Sequence, residues 1–144
     1  MIQIPIRVDY GVRALVDIAT NDRQGPVKTS DIASRTSIPQ SYLVRILNTF
    51  NKLEILESRR GRGGGHLLKT PAENLQLSLI LESLDSLFSP VYCIDNPEKC
   101  TLSPSCAQRD IWIDVKKSVH SVLSNTTIAD LVSKTSTKKI MNIN

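Results

Sequence analysis

The sequence predicts a mainly α-helical fold with one small β-hairpin, arranged as a winged helix-turn-helix that is followed by a long C-terminal helix. Three observations lead to this fold class. Apolar residues recur at three- and four-residue spacings over much of the 144-residue chain, as on one face of an amphipathic helix. A short helix and a helix that starts at a proline follow each other across a tight turn. A glycine-rich turn between two apolar runs comes directly after them.

The first half of the chain supplies the helix-turn-helix, and residues 8–20 predict its first amphipathic helix. A short second helix is expected to have Thr29 as its N-cap and Asp31 in its first turn, where the helix dipole favours an acid. Pro39 suits the first turn of a third helix. The apolar stripe predicted to face inward on this third helix is Leu43, Ile46, Leu47, Phe50 and Leu53. Its polar face consists of Gln40, Ser41, Arg45, Asn48 and Lys52.

The segment after the third helix predicts a β-hairpin, with strands "ILESRR" and "HLLK" joined by "GRGGG". A hairpin in this place is the wing of a winged helix. Arg59, Arg60 and Arg62 lie at its tip, beside glycines that let a partner approach the backbone, which suits contact with phosphate oxygens. A flexible linker is a weaker interpretation because linkers seldom lie between apolar strand-like runs. A nucleotide-phosphate loop is disfavoured because the Gly-Lys-Ser/Thr ending is absent.

The net charge of +4 is unevenly distributed along the chain. Residues 1–70 carry eleven Lys and Arg against six Asp and Glu, whereas residues 71–144 carry seven against eight. A basic first half favours a polyanionic partner, above all nucleic acid, although a solvated surface with a chance asymmetry would look the same. Together with the winged helix-turn-helix, it makes a double-stranded DNA operator the expected partner. The longest apolar run, "LQLSLIL", is too short to span a membrane, and the N-terminus lacks a secretory pattern. We therefore expect a cytoplasmic protein with reduced thiols and no membrane partner.

The second half of the chain predicts three further helices. The first of them should bury Leu77, Ile80, Leu81, Leu84 and Leu87. A long helix is expected over 104–124, with Ser103 as its N-cap and Pro104 as its first residue. Its apolar stripe is Ala107, Ile111, Val115, Val119 and Val122, with Trp112 beside it. Thr127 and Asp130 have the spacing of a capping box at the start of a short final helix.

The long helix is interpreted as a dimerisation helix, because little chain remains after it to cover its apolar face. A homodimer through this helix is the favoured arrangement, and folding back on its own domain is the alternative. The expected division is a winged helix-turn-helix domain over 1–75, a sensor loop with dimerisation helices over 76–136, and a flexible tail over 137–144.

All three cysteines of the chain, Cys93, Cys100 and Cys106, lie within one short segment. An odd number of thiols in a reducing compartment disfavours a structural disulfide, and closely spaced pairs of the kind that structural zinc uses are absent. Three thiolates could instead hold an iron–sulfur cluster and leave one iron position for a different ligand. Cys106 would be the third residue of the long helix, whose dipole favours the thiolate. Three unremarkable thiols remain the alternative. No set of residues suggests hydrolytic or transfer catalysis, so a non-enzyme is expected.

With these pieces in place, the chain resembles the Rrf-two family of winged helix-turn-helix regulators over nearly its whole length. The resemblance is carried by "DYGVRALVDIA", "SIPQSYLVRIL", "ESRRGRGGGHLL" and "TTIADL". The cysteine spacing is similar to that of the iron–sulfur branch, which includes IscR-like, NsrR-like and RirA-like members. The resemblance implies a dimeric bacterial repressor or activator whose cluster state controls its affinity for DNA.

The resemblance also implies particular DNA contacts. Ser41 and Tyr42 match recognition-helix positions that touch DNA in IscR-like members, and Arg60 matches a wing arginine that enters the minor groove. The full set of residues expected at the DNA is Thr29, Gln40, Ser41, Tyr42, Arg45, Ser58, Arg59, Arg60 and Arg62. Val44 stands where IscR-like members have a base-reading glutamate, so the operator sequence should differ. A valine cannot accept a hydrogen bond from cytosine, although it can touch a thymine methyl.

The ligand set implied for the cluster is Cys93, Cys100 and Cys106, with the partner subunit's Asp9 as fourth ligand. Asp9 matches the carboxylate that NsrR-like members use, whereas the ligand histidine of IscR-like members falls at Arg109, which stays protonated and cannot bind iron. A 4Fe–4S cluster is therefore favoured over 2Fe–2S. Asp95, Glu98 and Asp110 are local competitors for the fourth position. Two other hypotheses are a cluster-free regulator of the same fold, switched by thiol oxidation, zinc or a protein partner, and a small electron-transfer protein.

Overall fold

The computed structural model describes residues 3–86 and 88–141. These residues form seven α-helices and one antiparallel hairpin, so the prediction of a mainly helical chain with a small β element is confirmed. The helices are α1 (Ile6–Asn21), α2 (Thr29–Thr36), α3 (Gln40–Lys52), α4 (Leu77–Ser83), α5 (Tyr92–Asp95), α6 (Arg109–Ser124) and α7 (Ile128–Met141). The strands are β1 (Leu56–Arg59) and β2 (Gly65–Leu68).

The hydrophobic core lies between α1, α2, α3, α4 and α7. Among the described residues, it contains eighteen buried apolar side chains, of which seventeen lie between Val8 and Leu84 and one is Ile128 of α7. Phe50 of α3 is fully buried at the centre. The helices approach closely at Gly11 of α1, where an added Cβ would lie 2.7 Å from a Leu84 methyl carbon and 3.1 Å from the Phe50 ring. Burial of one such large apolar side chain stabilises the fold by about 1.5–3 kcal/mol.

The helix-turn-helix is formed by α2 and α3, which are joined through Ser37 in the left-handed conformation (φ 57°). Thr29 is the first residue of α2 and not its N-cap, which corrects the sequence prediction. The Thr29 hydroxyl bonds a histidine ring instead of the backbone of its own helix. Leu53 is a second correction, because α3 ends at Lys52 and leaves this side chain 51% exposed.

The wing is the hairpin of β1 and β2, in which Leu56 pairs with Leu68 and Arg59 with Gly65. Gly65 lies against the segment before α2, where a Cβ would come within 2.5 Å of the Val27 carbonyl oxygen. Only a glycine permits this approach. The wing is thereby fixed to the helix-turn-helix at its returning strand, and its tip over 60–64 extends away from that contact.

The long helix α6 begins at Arg109, five residues later than the sequence predicted. Ser103–Ser105 form a separate 3₁₀ turn, and Cys106 is extended, with ψ 113°, so it interrupts the helix. The prediction that Cys106 is the third residue of the long helix is therefore wrong. Asp110, a competitor for the fourth ligand position, therefore does not share a helix with Cys106.

The last helix, α7, packs along α1 and begins at the predicted capping box. The Asp130 carboxylate accepts a hydrogen bond from the Thr127 backbone N–H at 2.8 Å, and the Thr127 hydroxyl accepts one from the Asp130 N–H at 3.2 Å. α7 continues to Met141, so the predicted tail is helical over 137–141, and residues 142–144 lie outside the described residues, as does Leu87. The division into domains stays a prediction.

Candidate DNA-binding surface and cysteine segment

The exposed face of α3 begins at its first turn. Gln40 and Ser41 are exposed there, as are Val44 and Arg45 one turn further on. The opposite face is fixed because it carries the buried stripe of α3. The exposed face of α3 thus carries both hydrogen-bonding and apolar side chains. The major groove of DNA is wide enough to admit one such helix.

Tyr42 joins the start of α3 to α1. Its half-buried ring meets the ring of Tyr10 edge to face, with 5.5 Å between centroids. The Arg13 guanidinium lies 5.7 Å from the centroid of Tyr10 and donates to both carboxylate oxygens of Asp9. The Tyr42 ring therefore holds the start of α3 against α1, and its hydroxyl can form a hydrogen bond to a partner.

The three wing arginines are exposed, but they differ in their surroundings. The Nε of Arg59 donates to Glu57 two residues earlier on the same strand at 3.0 Å. Arg60 and Arg62 belong to the turn, beside Gly61 and Gly63, whose φ angles of 94° and 79° require glycine. The flexible cationic side chains of Arg60 and Arg62 are the more suitable pair for contact with a polyanion.

His66 is a residue of this surface that the sequence reasoning missed as a DNA-site residue. One ring nitrogen lies 3.0 Å from the Thr29 hydroxyl and the other lies 3.0 Å from the Ser58 hydroxyl. Burial lowers the pKa of His66 below its ordinary value. No local pattern in the sequence marks His66, because Thr29 and His66 become neighbours only in the folded chain.

The structure places the three cysteines in one segment but does not bring them into a ligand cluster. Cys93 lies in α5, while Cys100 and Cys106 each follow a 3₁₀ turn. All three are free and half-buried. Within residues 3–86 and 88–141, no group of three or more His, Cys, Asp or Glu side chains could hold a metal ion as arranged.

Two polar contacts hold the cysteine segment. The Lys116 ammonium of α6 is paired with Asp95 at the end of α5, and this bond lowers the pKa of Asp95. The Lys99 ammonium donates to the Tyr92 hydroxyl at 2.9 Å and lies 5.5 Å from the centroid of that ring. The first contact is an ion pair near the surface, a kind worth about 0–1 kcal/mol, and the second lies within the segment itself. The segment is thus weakly held.

The chemistry of the donor set fits an iron–sulfur cluster. Three free thiols on a weakly held segment can rearrange around a cluster, for which thiolates are the usual ligands. Arg109, three residues after Cys106, has a buried Nε with no hydrogen-bond partner among the described residues. An unsatisfied buried donor at this place suits a neighbouring anionic group.

Asp9 lies in the first turn of α1 and is bonded to Arg13 in the same chain. It borders an open cavity of about 770 Å³ between the N-terminal segment, α4 and α6, lined mostly by apolar side chains such as Ile4, Leu77 and Leu123. The role of the partner subunit's Asp9 as a cluster ligand stays a prediction. To bind iron, the Asp9 carboxylate would have to give up its hydrogen bonds from Arg13.

The surface of α6 is consistent with an interface. None of its side chains is buried within the single chain. Ile111 and Val122 of the predicted stripe are 57% and 66% exposed, while Val115 and Val119 are half-buried. The stripe therefore remains largely uncovered.

A helix-turn-helix, an arginine-tipped wing and an uncovered long helix together define a winged helix-turn-helix regulator. Residues 4–134 match the profile of the Rrf2 family, described as "Iron-dependent Transcriptional regulator", and the chain belongs to this family. The resemblance seen in the sequence is thereby confirmed. No helix within the described residues is long and apolar enough to cross a membrane.

Individual relatives are consistent with this assignment. The chain is 32% identical over 123 residues to the transcriptional regulator IscR of Yersinia enterocolitica, covering 85% of this chain and 74% of that protein. Among solved structures it is similar to T. potens IscR, with a TM-score of 0.75, 25% identity, and 92% and 88% of the two chains covered. It is also similar to CymR, the global cysteine regulator of B. subtilis, with a TM-score of 0.79, 25% identity, and 93% and 98% covered.

Proposed function

We propose that the protein is a homodimeric DNA-binding transcription regulator whose affinity for its operator is controlled by an iron–sulfur cluster. The observation that carries this proposal is the confinement of all three cysteines to one weakly held segment between a winged helix-turn-helix and an uncovered helix. The protein acts by binding and not by catalysis. Its similarity to transcription regulators, IscR among them, supports this function.

In the complex, α3 binds in the major groove, and the wing contacts the minor groove and the phosphates. Gln40, Ser41, Tyr42 and Arg45 enter the major groove from the exposed start of α3, and Val44 lies among them, suited to a thymine methyl. Arg60 enters the minor groove. The remaining contacts go to phosphates and come from Thr29, Ser58, Arg59 and Arg62, and they set affinity more than sequence preference.

Cys93, Cys100 and Cys106 would hold the cluster, and the partner subunit's Asp9 would be its fourth ligand. When bound, the cluster supplies a group that responds to nitric oxide, redox state or iron supply. A carboxylate is a harder ligand than a thiolate and holds iron less tightly, which leaves one exchangeable position. A 4Fe–4S cluster is favoured, with 2Fe–2S as the alternative, because Asp9 matches the carboxylate of NsrR-like members and Arg109, at the position of the IscR-like histidine, cannot serve as a ligand.

Dimerisation through α6 is part of the proposal. The exposed stripe that includes Ile111 and Val122 requires an apolar cover, and a second copy supplies one. Two winged helices related by a two-fold axis would read two half-sites. A fourth ligand from the other subunit would then couple the cluster to the spacing of the recognition helices.

A cluster-free regulator of the same fold is the second candidate. Three free cysteines and the similarity to CymR, a global cysteine regulator, favour this alternative specifically. In that case the thiols would respond to oxidation, to zinc or to a protein partner. The electron-transfer hypothesis has less support, because an electron carrier does not require a basic winged half.

The ligand set is tested by anaerobic reconstitution of Asp9→Ala, with Asp110→Ala as the matched control on the same chain. Asp9→Ala should change the absorption and Mössbauer spectra and the response to nitric oxide, while Asp110→Ala retains those of the parent. The reverse result would exclude the cross-subunit ligand. A parent protein that takes up no iron, but whose DNA affinity changes on thiol oxidation or zinc addition, would favour the cluster-free alternative.

A further inference from the structure

His66 connects the wing to the helix-turn-helix through both its backbone and its side chain. Its N–H donates to the Val27 carbonyl at 2.8 Å, and its carbonyl accepts from the Val27 N–H at 2.9 Å. Its ring lies between two hydroxyl groups, Thr29 at the start of α2 and Ser58 on β1, each at 3.0 Å. Two separate elements of the candidate DNA surface thus present one hydroxyl each to the same imidazole.

The number of protons on this ring limits what the two hydroxyls can do. A hydroxyl carries one hydrogen, so if it donates to a phosphate oxygen it can only accept from His66. A neutral imidazole has one N–H and can therefore support one such hydroxyl. Supporting both of them requires the imidazolium, which donates from both ring nitrogens.

We propose that His66 is a positioning residue for DNA binding, and that it takes up one proton from solvent when Thr29 and Ser58 both donate to phosphate oxygens. The proposal rests on the DNA-binding part of the proposed function and is independent of the cluster. The exposed Ser58 and the half-exposed Thr29 are both accessible to such a partner. In addition, no side chain within the described residues caps α2, which leaves its first N–H groups for the same phosphates.

The direction of the pH effect follows from the two states of the protein. In the free protein, burial lowers the pKa of His66, so the ring is neutral near neutral pH. Phosphates close to the ring raise its pKa in the complex. The affinity for DNA should therefore rise as pH falls through the pKa of the complex, and it should level off below the pKa of the free protein.

Charged residues also lie on the elements next to β2, and none of them is of a type that titrates in the same range. On α1, the 3₁₀ turn at 22–24 and β1, which pack against β2, they are Asp17, Asp22, Arg23, Glu57 and Arg59. On the segment that the ring contacts through Thr29, they are Lys28 and Asp31. Carboxylates, lysines and arginines ordinarily titrate well outside about pH 5.5–7.5, whereas histidine titrates within it. The chain has one other histidine, His120 of α6, which provides a matched control.

The test uses a fluorescently labelled DNA duplex of mixed sequence at low, fixed salt, because a phosphate contact does not require the operator. Wild-type affinity should increase by up to about tenfold between about pH 7.5 and pH 5.5, equivalent to a pKa difference of about one unit. His66→Gln should abolish this dependence, and His120→Gln should retain it. The double variant Thr29→Val, Ser58→Ala should also abolish it, which a merely structural role of His66 would not predict.

Proton NMR separates the remaining outcomes, because only two histidine rings contribute signals. The pKa of His66 should rise on addition of the duplex, while the His120 ring signals at fixed pH keep their chemical shifts. An unchanged pKa of His66 in a complex that forms normally would overturn the inference and leave DNA binding intact, and this measurement needs no variant to fold. Failure of the wild type to bind any duplex at any of these pH values would overturn the proposed function as well.

Discussion

The two halves of the molecule are stabilised in different ways. Of the eighteen buried apolar side chains among the described residues, seventeen lie between Val8 and Leu84, and the remaining one is Ile128. The segment from residue 88 to the end of α6 contributes none of them, and its longest helix buries no side chain. The residues up to Leu84, together with α7, therefore form the core, whereas the segment from residue 88 to the end of α6 lacks the buried surface that would fix one conformation.

This difference indicates where regulation can act. The winged helix-turn-helix rests on one continuous buried core, which holds its candidate DNA-binding surface in place. The cysteine segment is held by exposed polar contacts such as Asp95 with Lys116, which a ligand or a second subunit can readily replace. A sensor is expected in this segment, because a small binding energy is enough to change its conformation.

The largest expected difference between the two halves is in the loss of stability when an apolar side chain is truncated. Phe50→Ala should lower the free energy of unfolding by about 3–5 kcal/mol, because it leaves a cavity in the fully buried centre. Ile111→Ala, on the exposed stripe of α6, should change the unfolding of the single chain by less than about 0.5 kcal/mol. Urea denaturation at low protein concentration measures both. Equal destabilisation by the two variants would mean that α6 belongs to the core.

The next effect concerns dimerisation through the apolar stripe of α6. Val115→Asp or Val119→Asp should weaken dimerisation by about 3–5 kcal/mol, because an unpaired charge would be buried in an apolar interface. Light scattering at micromolar concentration should then report a monomer, with Ser118→Asp on the exposed side of the helix as the control. Dimers that persist in both variants would show that another surface joins the subunits.

A smaller effect is expected for the wing. Arg60→Ala should weaken DNA binding by about 1–3 kcal/mol with folding unchanged, because a minor-groove contact is lost. Arg62→Ala should lower the slope of affinity against salt concentration by about one unit, as expected for one phosphate contact. Fluorescence titrations over a salt series distinguish the two roles. Wild-type affinity in Arg60→Ala at fixed salt would remove this arginine from the interface.

The smallest effect concerns the start of α7, which lies next to the core in spite of its distance along the chain. Thr127→Ala should cost about 1 kcal/mol of unfolding free energy, because it removes the hydroxyl that bonds the Asp130 N–H. Thr137→Ala, which lies late in the same helix, serves as the control. Thermal unfolding that shows equal shifts for both variants would assign the loss to helix propensity and not to the cap.

The sequence predicted the first half of the fold well and the second half less well, for a physical reason. Periodic apolar residues such as Leu43 and Phe50 report burial directly, because the core on which they depend lies within the same chain. The start of α6 was misplaced because Ser103 and Pro104 satisfy the local rules of a helix start, yet a 3₁₀ turn satisfies the same rules. Cys106 then ends that turn in an extended conformation.

The candidate site follows the same division. The wing arginines and the face of α3 were predictable from charge and period. His66 was not, because a hydrogen bond between residues 37 positions apart has no local signal. The ligand geometry of Cys93, Cys100 and Cys106 cannot be read from the sequence either, because it depends on the bound group and on a second subunit.

The most direct test of the central claim compares the DNA affinity of the cluster-loaded and cluster-free protein. A duplex selected from a random library by the purified protein serves as the operator, and the cluster is verified by anaerobic absorption and Mössbauer spectra before and after nitric oxide. The account predicts that the loaded protein shows iron–sulfur spectra and that its dissociation constant differs about 5- to 150-fold from that of the cluster-free protein, the usual range of coupling between two sites. Equal dissociation constants, or a protein that binds the duplex but never takes up iron, would contradict it.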